Sequence, residues 1–464
     1  MKILNQYFPG RVFVLLFTEN ALILLGVWVA ACVYIGRFNL ALLFDPGLFG
    51  RALLISLVCQ ICFYFNDLYD LKSLSSPLQI LLRLLKTFGM ASLILAFVYL
   101  LIPGTRFGSG IVETSVIGVA LLVLLWRVAL EWFNRVYAPG DRILIVGTGS
   151  HAQALAREVD GRPDLHMSVI GLVGENGVGP PQTGTSGISY LGRLEALSQI
   201  ADEAKPDRIV IAVEERRNHL PMDTLLRLRL GGTRVEYGSS LYEKLTGRIP
   251  VDAVRPSGLV FSEVFQTSVR PIRYRRAIGA AGALLGLIMF GPLMALIAIA
   301  IKLDSPGPVF YRQARVGLDG TVFEMLKFRS MRADAERATG PIWAGKRDSR
   351  ITRVGAVLRK LRLDELPQLI NILRGEMNFI GPRPERPHFV ETLRHQIPYY
   401  DARHVIRPGL TGWAQVSYSY GSTWEENKEK FEYDMFYLKN MSLSLDLMIL
   451  FQTAKIAVLG RGAR

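Results

Sequence analysis

Asp141-Arg142-Ile143-Leu144-Ile145-Val146-Gly147-Thr148-Gly149-Ser150-His151-Ala152 is the stretch at which the chain changes character. A short β-prone run ends on two glycines that bracket Thr148, and Ala154, Leu155 and Val159 follow at helical spacing. Strand, tight glycine turn and helix in succession open a parallel sheet. Downstream, Ser168 to Val173, Arg208 to Val213 and Thr233 to Tyr237 read as further strands. They alternate with helical patterns at Leu191 to Ala204 and Pro221 to Leu230, while Asn176 to Ser189, rich in Gly, Pro, Thr and Ser, reads as a loop. An α/β domain over about residues 140–250 follows.

Upstream the chain is apolar. About Val12 to Ile35, Leu48 to Phe65, Leu78 to Ile102 and Ile111 to Leu130 each approach the ~20 residues that a helix needs to cross ~30 Å of hydrocarbon. Residues 1–135 are therefore expected to form a four-helix transmembrane bundle. The first stretch is too long for a signal-peptide core and lacks a small-residue cleavage site, so it reads as a retained span. Lys2, Arg11, Lys72, Arg83, Lys86, Arg127, Arg135 and Arg142 flank one side of the spans, whereas the opposite connections hold Arg37, Arg51 and Arg106. That bias puts the N-terminus, and everything after the fourth span, in the cytoplasm.

The composition agrees with a chain of mixed character. Of 464 residues, 50% are hydrophobic and 20% charged, so apolar and soluble parts share the polypeptide. A net charge of +14 suits nucleic acid, anionic lipid or a phosphorylated substrate, and position must choose among them. Cys32, Cys59 and Cys62 all lie in the apolar stretches, and Cys59 and Cys62 have no second Cys or His pair to complete a four-ligand set, so no disulfide framework or zinc site is indicated.

After Arg270, Arg273, Arg275 and Arg276 comes a fifth apolar stretch, Ala277 to Ile301, with Gly291-Pro292 in its middle. Pro292 removes one helical donor and crowds the carbonyl of Ile288, so a bend is expected. Cations at both ends fit a segment that enters and leaves on the cytoplasmic side; an ordinary kinked span is the competing reading. Asn440 to Leu459 reads as a last apolar or amphipathic helix, packed in a core or lying on the membrane.

Two motifs could carry chemistry. Gly147-Thr148-Gly149-Ser150-His151-Ala152 matches the G-x-G-x-x-A turn of a Rossmann-like domain, which can hold phosphate at a helix N-terminus. The ribose-binding acid expected some 20 residues on has only Glu175 as a candidate, and no tyrosine has a lysine four positions later, so the dyad of nucleotide-sugar dehydratases is missing. The second motif is Leu363-Asp364-Glu365-Leu366-Pro367-Gln368-Leu369. Pro367 fits only the first turn of a helix, which puts Asp364 and Glu365 at its N-terminus, where an Asp cap would be ordinary helix chemistry. Its surroundings argue for more. Arg350, Arg353, Arg359 and Arg362 flank the pair, and Gly381-Pro382-Arg383-Pro384 and Arg407-Pro408-Gly409 form rigid turns that each present an arginine. Adjacent carboxylates amid arginines can supply a nucleophile and a metal ligand while the arginines hold phosphates.

Lys327-Phe328-Arg329-Ser330-Met331, Leu363 to Leu369, Gly381 to Pro384 and Arg407 to Val416 resemble, in order and spacing, the bacterial sugar transferase family, the monotopic phosphoglycosyl transferases. The resemblance covers about residues 273–464 and, with the domains ahead of it, extends to the long form that starts exopolysaccharide or O-antigen assembly. It implies a mainly α catalytic domain joined by a linker at 251–272, and a re-entrant helix broken at Gly291-Pro292, where the family often has Ser-Pro. It implies that Asp364 attacks the β-phosphorus of a UDP-sugar, releasing UMP, and that polyprenol phosphate then accepts the sugar phosphate. Glu365 would bind Mg²⁺, and Arg383, Lys327, Arg329 and Arg407 would contact phosphate or nucleotide. The implied partners are nucleotide sugar and membrane lipid, without nucleic acid, at the bacterial plasma membrane. Ser417 to Gly421 departs from the Asn-Gly-Arg stretch of many relatives. Self-association is left open, since domains held side by side in a membrane meet easily. A membrane-anchored nucleotide-sugar oxidoreductase and a non-catalytic scaffold are the competing classes; the missing dyad speaks against the first and the motif density after Lys327 against the second.

Overall fold

The protein, seen in a computed structural model, is described over residues 10–36, 38, 45–69, 77–105, 111–137, 140–162, 165–174, 188–213, 220–253, 269–332, 350–418 and 423–459. The chain divides into two compact units, Tyr7–Leu241 and Tyr242–Arg464.

In the first unit, the apolar stretches form α1 (Gly10–Ile35), α2 (Pro46–Phe65), α3 (Pro77–Leu101) and α4 (Ile111–Tyr137). Ile23 and Val27 of α1 pack with Ile55, Cys59 and Phe63 of α2, Leu84 and Phe88 of α3, and Val119 and Val123 of α4. Gly26 lets α1 and α4 approach closely: a Cβ there would stand 2.6 Å from the Val119 side chain. Glu19 and Arg127 are both buried and paired at 2.6 Å, with Arg127 also donating to Leu68 O (2.9 Å) and Tyr69 Oη to Glu19 (2.9 Å). A charge pair inside an apolar bundle persists because each ion is hydrogen-bonded as well as paired. Outward-facing Leu57, Leu93, Phe97, Ile117 and Leu121 are more than half exposed, as a lipid-facing surface requires. The first three helices are long and apolar enough to span. In the fourth, α4, the apolar run among the described residues is Ser115–Leu130.

The sheet of this unit has the parallel order β3-β2-β1-β4-β5, built from β1 (Asp141–Val146), β2 (Met167–Gly174), β3 (Tyr190–Arg193), β4 (Arg208–Ile211) and β5 (Arg234–Tyr237). Ile143 to Val146 at its centre are fully buried. Helices α5 (Ser150–Asp160), α6 (Leu197–Ala204) and α7 (Met222–Leu230) connect the strands. Gly147, at φ 131°, makes the turn after β1; a Cβ there would meet Ala212 O at 2.6 Å. Edge strand β3 stands where the sequence pattern suggested the start of a helix, since a two-residue apolar run beside Gly192 carries too little periodicity to distinguish the two. Most of the expected loop at Asn176 to Ser189 lies outside the described residues.

The second unit begins inside α8 (Gly238–Thr246), earlier than the expected domain limit at residue 250. Its next residues pack on α14 (Trp424–Lys439): Ile249 N–H donates to Glu432 O at 3.2 Å and Val251 N–H to Glu432 Oε1 at 3.1 Å. Most of the expected linker, residues 254–268, lies outside the described residues. Helix α9 (Val269–Asp304) is 36 residues long and continuous through Gly291-Pro292. Its Ala283 and Leu287 pack on Met325, Leu369, Ile372 and Met377, while its Ile297 and Ile301 pack on Phe328, Leu358, Leu363 and Leu366. Between them Ile288, Met289 and Leu296 are more than 60% exposed, and Gly291 has no neighbour within 4 Å of where a Cβ would stand.

Around α9 lie the antiparallel hairpin β6 (Phe310–Val316) and β7 (Val322–Phe328), α10 (Arg353–Lys360) and α11 (Gln368–Arg374). Next come the parallel pair β8 (Asn378–Ile380) and β9 (Gly409–Thr411), then α12 (Pro387–Gln396) and α13 (Trp413–Ser417). The last helix, α15 (Leu443–Val458), buries Leu445 and Ile449 in the core that α14 centres with Phe431 and Phe436, and exposes Leu447 and Phe451.

Asn371, fully buried on α11, ties this helix to β7: its Oδ1 accepts from Leu326 N–H (2.9 Å) and its Nδ2 donates to Glu324 O (2.8 Å). Replacing it strands two backbone groups, each costing about 1–3 kcal/mol. Asn371→Leu is expected to destabilise the unit by about 2–4 kcal/mol, read as a lowered thermal midpoint of the full-length protein in detergent; an unchanged midpoint would contradict it.

Candidate active site

The chain reaches the carboxylate pair through Arg362, whose φ of 56° is left-handed. Leu363–Glu365 then forms a single 3-10 turn, and Pro367 stands at the cap position of α11. Asp364 is therefore not the helix cap that its sequence position suggested. A capping carboxylate seeks the N–H two or three residues on, and the third here is Pro367, which has none.

Glu365 lies between two cations. Its Oε1 is 3.1 Å from Arg383 Nη2 and 3.4 Å from Lys327 Nζ. Lys327 comes from β7, paired in register with Tyr311 of β6, and Asn371 fixes that strand against α11. Arg383 comes from the Gly381-Pro382 turn, which interlocks with the Pro408-Gly409 turn: Gly381 N–H donates to Thr411 O (3.0 Å) and Gly409 N–H to Pro382 O (2.9 Å). A Cβ on Gly409 would fall 2.1 Å from Gly381 N, so this approach requires glycine.

Two arginines, Arg403 buried and Arg315 partly buried, hold the backbone under Arg383. Arg403 Nη2 donates to Arg383 O (2.7 Å) and pairs with Asp434 (2.9 Å), and Arg315 Nη1 donates to Pro384 O (2.7 Å). Sequence reading missed both. The alternation of Tyr311, Gln313 and Arg315 on one face of β6 was the available sign, but only the pairing of Tyr311 with Lys327 turns that face toward the site.

Of the expected site residues, the structure thus brings Asp364, Glu365, Lys327 and Arg383 together. It engages the others elsewhere. Arg329 is buried and donates to Pro306 O (2.7 Å) and Ser305 O (2.7 Å), closing the end of α9. Arg407 Nε donates to Gly375 O (2.8 Å), past the far end of α11. Arg276 joins it there, donating to Ile372 O and to Leu373 O at 2.7 Å. Gly291 and Pro292 stand in the exposed middle of α9. Among the described residues no group of three His, Cys, Asp or Glu side chains is placed to hold a metal.

The neighbouring carboxylates are driven apart. Burial raises Glu365, but Arg383 foremost, then Lys327 and Arg362, outweigh it and hold the group at about 2. Burial also raises Asp364, and there Lys327 and the arginines do not overcome it, with the charge on Glu365 adding to the rise. Lys327 is itself lowered, chiefly by burial. One carboxylate is thus held in its ionised form by the cations on it, and the other is raised by burial and less engaged, the division expected of groups with separate roles in one centre.

A membrane protein with a parallel five-stranded sheet domain, and a carboxylate pair set among cations beside a long apolar helix, is the class these features define. The bacterial sugar transferase model matches residues 271–460, and a CoA-binding domain model matches residues 64–219. The chain is 41% identical over 240 residues, 52% of its length, to a UDP-N-acetylgalactosamine-undecaprenyl-phosphate N-acetylgalactosaminephosphotransferase of Aeromonas hydrophila. It is 33% identical over 329 residues, 69% of its length, to an undecaprenyl-phosphate glucose phosphotransferase of Komagataeibacter xylinus. The matches span 56% and 60% of those two relatives. With a UDP-glucose:undecaprenyl-phosphate glucose-1-phosphate transferase of Xanthomonas campestris pv. campestris it shares 31% identity over 455 residues, 95% of this chain and 90% of the relative. The chain belongs to the bacterial sugar transferase family.

The split of the pair has a measurable sign. With its pKa raised, Asp364 contributes stability below the ordinary aspartate value and loses it as pH rises, so at neutral pH its charge opposes folding. With its pKa lowered, Glu365 contributes stability above the ordinary glutamate value, lost as pH falls through about 2. At pH 7.5 Asp364→Asn should melt no lower than wild type and Glu365→Gln should melt lower, by differential scanning fluorimetry. The reverse order would refute the assignment.

Proposed function

We propose that this chain transfers a sugar 1-phosphate from a UDP-sugar to polyprenol phosphate, giving a polyprenyl-diphosphate sugar and UMP. The observation that carries the reading is Asp364, a basic and weakly engaged carboxylate, beside an ionised Glu365 already gripped by Lys327 and Arg383. The names of the relatives support the reaction class and give glucose and N-acetylgalactosamine as the sugars those proteins transfer.

In the proposed first step an Asp364 oxygen attacks the β-phosphorus of the UDP-sugar. The bond from that phosphorus to the bridging oxygen breaks, and UMP departs with the electron pair. Lys327 and Arg383 lie where they can offset the phosphate charge. In the second step an oxygen of polyprenol phosphate attacks the aspartyl phosphate, the Asp364 oxygen leaves, and the carboxylate is restored. Magnesium is commonly held by one or two carboxylates together with substrate phosphates, and Glu365, whose bonds to Arg383 and Lys327 both fall on Oε1, fits that donor set. When bound, the ion would lower the charge of the diphosphate.

The centre is assigned to the cytoplasmic face of the plasma membrane, where nucleotide sugars are found and where the basic loops of the N-terminal helices point. Helix α9 is assigned a re-entrant course. Support comes from its two halves, which both pack on the unit that holds the active site while the apolar residues around Pro292 face outward.

Membranes containing the protein should release UMP from at least one common UDP-sugar when polyprenol phosphate is added, and Asp364→Asn should abolish release while remaining folded. No release from any UDP-glucose, UDP-galactose or N-acetylhexosamine donor would sink the transferase reading, and normal turnover by the variant would reassign the nucleophile. A cysteine placed at Ser305 should be labelled from the cytoplasmic side alone; labelling from the periplasm would overturn the re-entrant course.

A further inference from the structure

We infer that Gln415 is a further substrate-contacting residue of this centre, its side-chain amide donating to a phosphoryl oxygen of the nucleotide sugar; the inference rests on the transferase reading above. Gln415 lies on α13, immediately after the interlocked glycine turns. Its place is fixed from both sides: a Cβ on Gly412 would stand 2.1 Å from Gly381 O, and Trp413 Nε1 donates to Gly247 O at 2.8 Å.

The orientation of the amide follows from its partner. Arg383 Nη1 lies 3.0 Å from Gln415 Oε1, and a guanidinium can only donate, so the oxygen must face Arg383 and the nitrogen must face away. That nitrogen is buried, and among the described residues it has no hydrogen-bond partner. A buried donor left unmade costs about 1–3 kcal/mol, so such groups are rare unless something else completes them.

The choice of residue adds a second argument. A group needed only to hold Arg383 would serve better as a carboxylate, which pairs with guanidinium more strongly than an amide does. A carboxylate would also repel an incoming diphosphate and would bring no donor. Glutamine keeps the acceptor for Arg383, leaves the local charge positive, and adds an N–H pair in the cluster that handles phosphate. A phosphoryl oxygen accepts only, which matches a donor without a partner.

The test is a double-mutant cycle on UMP release by the full-length protein, with UDP-glucose and UDP-N-acetylgalactosamine as donors. Gln415→Met should lower kcat/KM by about tenfold, mainly through KM for the nucleotide sugar; it deletes the donor that is unmade in the free protein together with the acceptor for Arg383, and the Arg383→Lys background separates the two. In the Arg383→Lys background the same substitution should still cost most of that factor. If the double variant is no worse than Arg383→Lys alone, Gln415 acts only through Arg383 and the inference fails. Gln415→Glu, which keeps the acceptor and loses the donor, covers the case in which the methionine variant does not fold; activity within twofold of wild type would overturn the inference. Absence of UMP release from wild type would instead sink the transferase reading, and this inference with it.

Discussion

The amide of Asn371 substitutes for a neighbouring strand. By accepting from Leu326 N–H and donating to Glu324 O, it completes the free edge of β7 with a helical side chain. Much of the catalytic unit's geometry depends on that substitution. It sets the height of α11 against β7, and with it the 3.4 Å between Lys327 on the strand and Glu365 in the turn before the helix. An apolar side chain at this position could fill the space but could not set the register, because dispersion contacts tolerate sliding where a pair of hydrogen bonds does not. The same helix offers Leu369 and Ile372 to α9, so one element links the membrane-associated segment to the carboxylates.

Charge placement follows from this frame. Glu365 and Asp364 are adjacent in sequence and comparably buried, yet their affinities for a proton move in opposite directions. The difference is the company each keeps. Glu365 has a guanidinium and an ammonium directly on one oxygen, whereas Asp364 feels the same cations from further off and carries the repulsion of its neighbour. The rigid turn that delivers Arg383 matters because that split depends on distance. Arg403 and Arg315 hold consecutive carbonyls of the turn.

Much of this was legible in the sequence, and the failures share a cause. The glycine turn at Gly147, the parallel strands around it and the apolar helices were readable because their signals are local: periodicity, Gly and Pro, run length. The carboxylate pair was readable as well, since charge beside Pro367 and the Arg-bearing turns stand out along the chain. Edge strand β3 was hidden by its brevity, and the 3-10 turn at Asp364 by the habit of reading an aspartate before a helix as its cap. Asn371, Arg403 and Asp434 were hidden more deeply. Their partners lie at 45 residues from Asn371 to Leu326, at 20 from Arg403 to Arg383 and on a separate helix for Asp434, and nothing local distinguishes them from ordinary polar residues.

The arginines show most clearly where composition misleads. A net charge of +14 and a dense run of basic motifs suggest a surface built to bind phosphate. Arg329 instead closes the carbonyl end of α9, and Arg276 and Arg407 do the same beyond α11. A helix C-terminus carries unpaired carbonyls and a partial negative charge, and a cation there stabilises by about 0.3–1 kcal/mol, up to ~2 when partly buried. The middle of α9 is apolar and exposed, and at its end arginine satisfies the carbonyls from within the fold. The two cations placed directly on Glu365, Lys327 and Arg383, are local, and other arginines hold the scaffold around them.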